Sequence, residues 1–246
     1  MRFLLPFFLL LLTSSVSAFA ADSAPMINLS IASVDEPEQF VKTINIAIVL
    51  LLFVLAPTLL LMATSFTRLI IVFGLLRQAM GLQQSPPNQI IISLSLILTF
   101  FIMEPYGKAA WNNGIKPYMD KTISYEVAFD ESVSPFKEFM IKNTREKDLA
   151  LFYRIRKQEN PKNVSDVPLT LLMPAFVISE LRTAFEIGFL VFLPFLVIDI
   201  IVASILMSLG MMMLPPVMIS LPIKIVFFII IDGWHLIIGN LAQSFK

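Results

Sequence analysis

Apolar positions gather into four long runs, and polar stretches separate them. The first run covers about Thr43 to Ala63, with Pro57 inside it, and the second covers about Ile90 to Met103. The third covers about Ile187 to Met207 and the fourth about Met218 to Gly239. A helix that crosses a bilayer needs about 20 mostly apolar residues. The second run is short of that. It spans only by borrowing from its flanks, or by lying beside other helices at a shifted depth. The pattern predicts an all-α membrane protein of about four hydrophobic helices arranged as helical hairpins.

An earlier apolar run, Phe3 to Leu12, follows Arg2 and leads to Ala18-Phe19-Ala20. A basic start, a short apolar core and an A-x-A site together predict a secretory signal peptide. Cleavage is expected between Ala20 and Ala21. The rival, an uncleaved helix, has a run short for a span. Residues 21–42 then form a polar extracytoplasmic tail carrying Asp22, Asp35, Glu36 and Glu38, expected to be disordered or loosely held. Arg68 and Arg77 lie in a stretch, Thr64 to Gln89, that has no acidic residue. The positive-inside rule makes that loop cytoplasmic. The expected organisation is a signal peptide (1–20), the tail (21–42), a first hairpin with a basic cytoplasmic loop (43–103), an extracytoplasmic helical segment (104–167) and a second hairpin (168–246).

Residues 104–167 hold 11 of the 18 basic and 10 of the 18 acidic residues. Tyr106, Trp111 and Tyr118 stand near the start, as aromatics do at a membrane interface. Ser134-Pro135 reads as an N-cap and first-turn pair, with Phe136, Phe139 and Met140 following at helical spacing. Thr144 reads as a second cap, with Glu146 and Asp148 in the first turn and Leu149, Phe152 and Tyr153 as the apolar face. These predict a small helical hairpin, hardly large enough for a core of its own.

Composition narrows the function. Hydrophobic residues make up 57% and charged residues 15%. Mean hydropathy is +0.82. The net charge is +0, so no basic field supports nucleic-acid binding. With no cysteine and one histidine, His235, thiolate chemistry and multi-histidine metal sites are excluded. No phosphate loop, metal motif or nucleophile elbow is present, and no cofactor is expected.

The polar residues of the apolar half carry the remaining information. Ser179, Arg182, Thr183 and Glu186 fall on one helical face, beside Glu180. Arg182 and Glu186 can pair at i, i+4. This seam faces either the interface region or a sister helix or aqueous pore. Asp199, Lys224 and Asp232 lie inside apolar runs, where an ionised group costs about 2.5–3.5 kcal/mol on insertion scales. Lys224 can reach Asp199 across two antiparallel helices. Buried pairs that fix register and a proton relay are the two readings of this set. A membrane-interior aspartyl enzyme would want Gly-x-Gly-Asp, and the chain has Ile230-Ile231-Asp232-Gly233 instead. Met211, Met212 and Met213 sit between Gly210 and Leu214-Pro215-Pro216. They read either as an ordinary hydrophobic turn or as a deformable seal, since methionine adapts its shape and hydrophobic constrictions gate by dewetting. A small-solute transporter, the rival of another class, would want an inverted repeat with broken helices. None is visible.

Several stretches together resemble the FliP family of flagellar biosynthetic proteins. They are TSFTRLIIVFGLLRQAMG (64–81), PPNQ (86–89), LTFFIM (98–103), NTREKDLALF (143–152), PFLVIDIIVASILMSLGMMMLPP (194–216), DGW (232–234) and LAQSF (241–245). The likeness covers residues 43 to 246. It implies a core membrane subunit of the flagellar type III protein export gate, homo-oligomeric within a helical hetero-complex in the basal body at the bacterial inner membrane. It implies further copies of the chain, FliQ, FliR, FlhB and FlhA as partners, and unfolded flagellar proteins as cargo. It also implies that Met211, Met212 and Met213 ring a pore. Glu180, Arg182, Glu186, Asp199, Lys224 and Asp232 become candidates for subunit contacts. Injectisome homologues share the core motifs.

Overall fold

The computed structural model describes residues 37–82, 84–158, 167–211 and 214–245, so the expected signal peptide lies outside the described residues. Among the described residues helices run in the order α1 (Pro37–Met62), α2 (Phe66–Ala79), α3 (Asn88–Ala110), a π-helical turn (Trp111–Ile115), α4 (Lys116–Met119), α5 (Tyr125–Asn143), α6 (Glu146–Ile155), α7 (Leu169–Ser208), α8 (Pro216–Ile230) and α9 (Gly233–Gln243). No strand occurs among the described residues. Phe40–Met62, Asn88–Met119 and Leu169–Ser208 are each long and apolar enough to cross a membrane. The pair α8 and α9 makes a fourth crossing if counted as one span. The chain divides into two units at Leu51–Leu52.

In the first unit α1 starts at Pro37, six residues before its apolar run. Proline suits a first helical turn because its missing N–H is one of the orphan donors there. Residues 37–42 of the expected loose tail are therefore helical, and residues 21–36 lie outside the described set. Phe40, Val41, Ile44, Ile46 and Val49 are all exposed.

The second unit is organised by α2. Leu69, Val72, Phe73, Leu76, Ala79 and Met80 are buried and recur at i, i+3, i+4 and i+7. Their face packs on Ala184 and Phe195 of α7, Ile91 of α3, Phe228 of α8 and Leu241 of α9. Each large side chain of this face contributes about 1.5–3 kcal/mol by leaving water. The stretch expected as a cytoplasmic loop is thus mostly the most deeply buried helix of the unit. The arginines drew the loop reading, and the apolar period beneath them decides the structure.

The short second run gains length from its flank. From Asn88 the helix passes through the π turn and on to Met119 without a break. At the π turn, Gly114 lies against α5, and a Cβ there would stand 2.1 Å from Ser132 Oγ and 2.7 Å from the Ala128 carbonyl oxygen. The third run also lengthens, since α7 is one helix of 40 residues holding Pro174 and Pro194.

Two capping expectations are corrected. Helix α5 starts at Ser124, whose hydroxyl accepts from the Val127 N–H at 3.5 Å, and Pro135 lies buried inside the helix. Thr144 closes α5, donating its hydroxyl to the Met140 carbonyl at 2.6 Å, and Arg145 is the N-cap of α6. Nor is there a closed hairpin. Phe139 and Met140 of α5 and Tyr153 of α6 share one core with Met103 of α3 and Leu171, Leu172 and Phe176 of α7. The Phe139 ring meets Tyr106 edge-on at 5.1 Å and Phe176 at 5.8 Å. Two short helices lack the apolar area for a separate core, so they borrow one.

The fourth run breaks. Asp232 takes the left-handed conformation (φ 50, ψ 52) between α8 and α9, and the two helices meet at 64°. Gly233 follows because the Phe228 ring lies where a Cβ would stand, 2.2 Å away.

Candidate functional site

Helix α2 opens with a buried cation. Arg68 is 3% exposed and Glu180, on α7, is 0% exposed. Arg68 Nε donates to Glu180 Oε2 at 2.8 Å, and Nη2 makes a second bond to Oε1. The planar fork thus holds the carboxylate at both oxygens. Arg68 Nη1 donates to the Ser244 carbonyl at 3.0 Å and to its hydroxyl at 2.8 Å. Arg68 Nη2 also donates to Asn143 Oδ1 at 3.3 Å. The Phe245 ring centroid lies 3.8 Å from the guanidinium carbon, a cation–π contact. One side chain therefore joins the start of α2, the middle of α7, the end of α5 and the segment after α9. The expectation of Arg68 as a loop charge is corrected here. Its place one residue before Leu69, on the buried face, was the signal available in the sequence.

A second cluster fastens α6 to α7. Ser179 is fully buried and donates to Asp148 Oδ2 at 2.7 Å, while its oxygen accepts from the Arg145 backbone N–H at 3.1 Å. Arg145 also grips Glu186 with Nη1 at 3.2 Å and Nη2 at 2.6 Å. Arg182 Nε donates to the same Glu186 at 3.1 Å. Hydrogen bonding to Glu186 holds the Arg145 guanidinium above its ordinary range. The polar seam of α7 therefore meets a helix of its own chain along Ser179 and Glu186. Asp148 stands in the first turn of α6, as expected, and is in addition a buried acceptor.

A third cluster ties α7 to α8 and α2. Lys224, 3% exposed, donates to Asp199 Oδ2 at 2.6 Å and to the Ala79 carbonyl at 3.1 Å. Ser220 donates to Asp199 Oδ1 at 2.6 Å. The aspartate is partly open and both its oxygens are engaged. Asp232 takes no part. It is exposed at the α8–α9 break and provides no side-chain cap. A paired aspartate dyad is therefore absent from the described residues, because Asp199 and Asp232 stand in different surroundings. Ser220 and the Ala79 carbonyl carry no sequence signal, since only the fold brings them to Asp199 and Lys224.

The methionine-rich turn follows α7. Gly210 has φ +74, a conformation that favours glycine, and Met211 beside it is exposed. Met212 and Met213 lie outside the described residues, as do Ala20 and Ala21.

Comparison with known proteins gives this arrangement a context. The family model for the FliP family matches residues 49–241. The chain belongs to the FliP family. It is 50% identical over 217 residues to a flagellar biosynthetic protein FliP of Bacillus subtilis (strain 168), covering 88% of this chain and 98% of that one. It is 48% identical over 230 residues to a flagellar biosynthetic protein FliP of Caulobacter vibrioides, covering 94% and 85%. A FliP of Pectobacterium carotovorum is 52% identical over 189 residues, covering 77% and 73%. This FliP-family chain is a flagellar biosynthesis protein, a subunit of the flagellar type III export apparatus. With three or four helices fit to cross a membrane, it is membrane-associated.

Proposed function

We propose that this FliP-family chain forms the wall of the flagellar export gate in the bacterial inner membrane, passing unfolded flagellar proteins outward between several copies of itself. One observation carries the reading. Helix α7 has 40 residues, about 60 Å at 1.5 Å per residue, against a hydrocarbon core of about 30 Å. Its exposed side is apolar at Phe185, Phe189, Leu190, Val197, Ile200 and Ile205. The half before Phe185 is packed by the chain's own helices, at Leu171, Leu172, Ala175, Phe176 and Ala184, while the apolar half beyond it and the exposed Val217, Ile223, Val226 and Ile230 of α8 form one long oily surface of the kind that subunits share. Further copies cover part of that surface, with FliQ and FliR, and with FlhB and FlhA, completing the apparatus. The buried ion pairs keep each subunit's helices in register while its oily sides meet neighbours. The chain works passively, as a wall and a seal. Met211, Met212 and Met213 form the seal where copies meet on a common axis.

The decisive measurement is the native mass of the detergent-extracted particle and the identity of its co-purifying chains. A multi-copy particle is expected, and a lone subunit without partners defeats the reading. Replacing Met211, Met212 and Met213 together by alanine should raise ion conductance through the assembled gate several-fold. Unchanged conductance counts against the seal.

A further inference from the structure

Two shallow grooves lie in the segment between the candidate spans Asn88–Met119 and Leu169–Ser208, and their chemistries are opposite. The first, at the start of α5, is lined by Tyr125, Glu126, Phe129 and Asp130. Both aromatics are exposed and stand one turn apart, and so do the two acids. The second, along the outer side of α6, is lined by Lys147, Leu151, Arg154 and Lys157, with Ala150 and Gln158. Lys147, Arg154 and Lys157 are exposed, and the aliphatic Ile155 is exposed beside them. Helix α6 turns its other side, Asp148 and Tyr153, into the protein. The basic row is therefore a solvent-facing surface left over after α6 has packed.

We infer that the acidic–aromatic groove of one copy receives the basic–aliphatic groove of the next copy. The inference rests on the proposed assembly and names the contact that builds it. Charge complementarity chooses the occupant, because the chain itself supplies the surface each groove fits. Acids flanking two aromatics meet bases flanking aliphatic side chains, giving an apolar centre with a charged rim. Arginine and lysine also find the Tyr125 and Phe129 ring faces, adding cation–π contacts. The two surfaces differ, so the contact is head-to-tail and each copy keeps one of each for its neighbours. That geometry closes into a ring or winds into a helix. Both grooves belong to the same inter-span segment, so they lie on one side of the membrane, as lateral neighbours require.

Charge reversal tests this in the full-length chain. Glu126→Lys with Asp130→Lys makes both surfaces basic, and Lys147→Glu with Arg154→Glu makes both acidic. Each pair should raise the concentration for half-assembly in mild detergent about tenfold or more. A chain carrying all four changes restores opposite signs and should assemble like the parent. All four positions are exposed, and an unchanged melting temperature shows that the fold persists. The parent chain has no cysteine. Asp130→Cys with Arg154→Cys in one chain should therefore give, under oxidation, a ladder of dimers, trimers and larger species. A parent that assembles normally while the reversed chains assemble equally well and no ladder forms overturns the inference and leaves the proposed function standing. A parent that never assembles overturns both.

Discussion

Arg68 shows how one side chain can decide a fold in an oily protein. Removing one member of a buried ion pair strands the other charge, at a cost of about 3–5 kcal/mol. Glu180→Gln should therefore lower the melting temperature of the detergent-extracted protein sharply, as followed by a thermal-shift assay. Replacing the pair together, Arg68→Met with Glu180→Leu, should recover much of the loss, since apolar side chains can stand in for a buried pair. A double variant no better than the single one would show that the Ser244 and Asn143 bonds matter more than the charge pair. Lys224→Met should lower the melting temperature less than Glu180→Gln, because Asp199 then keeps only Ser220 but is partly open to its surroundings. Such nodes are only half legible in a sequence. A charge inside an apolar run announces that a partner exists, and Lys224 with Asp199 could be matched by helix geometry alone. Arg68 sat outside the runs that hydropathy marks, and its partner is 112 positions away. Reading the stretch between two apolar runs as a loop hid the helix that carries it.

Among the helices, close approach sets what substitution can do. Gly114 faces backbone atoms of α5, whereas Gly188 faces the flexible end of Leu75. Gly114→Ala should destabilise the join of α3 to α5 by about 1–3 kcal/mol or more, as overpacking does. Gly188→Ala should cost clearly less, because a leucine can turn aside where a backbone cannot. The melting temperatures of the two detergent-extracted variants would rank them, and equal losses would refute the difference. Arg145 sets the response of the α6–α7 strap to alkali. Its guanidinium is held above its ordinary range by Glu186, so its contribution is complete below that range and lost only above it. Alkaline titration to about pH 10 should leave α6 docked, as read by hydrogen exchange at Leu149 and Phe152. At this scale the sequence located the long apolar helices but misplaced their ends. Run length marks where lipid or core must touch, while caps and breaks depend on local hydrogen bonding. Ser134-Pro135 looks like a helix start, yet Ser124 claimed that role and the proline was carried inside. The left-handed Asp232 is a further case, since an apolar run hides a 64° bend that one backbone angle creates.

For the molecule as a whole, the class and the family were open to reading because the apolar runs and the motifs extend over most of the chain. What lay beyond reach was the division of labour between them. The stretch 64–81 carries motif residues, and the fold shows why they matter together, since α2 shares one buried core with residues of α3, α7, α8 and α9. The exposed apolar sides of α7 are the counterpart of that economy, as a subunit that spends its best-packed helix on its own core leaves long oily flanks for others. Cargo passing such a wall would meet the turn after α7, and the clasp of Asp199 by Ser220 and Lys224 limits what that turn can do. Both helices leading into it are pinned to one another, and through the Ala79 carbonyl to α2, well before the methionines begin. In the proposed gate, an aperture at this turn would therefore not open by swinging whole helices like doors. Any widening proposed there would fall between the two pinned positions, Asp199 on α7 and Lys224 on α8, with the helices on either side acting as a fixed frame.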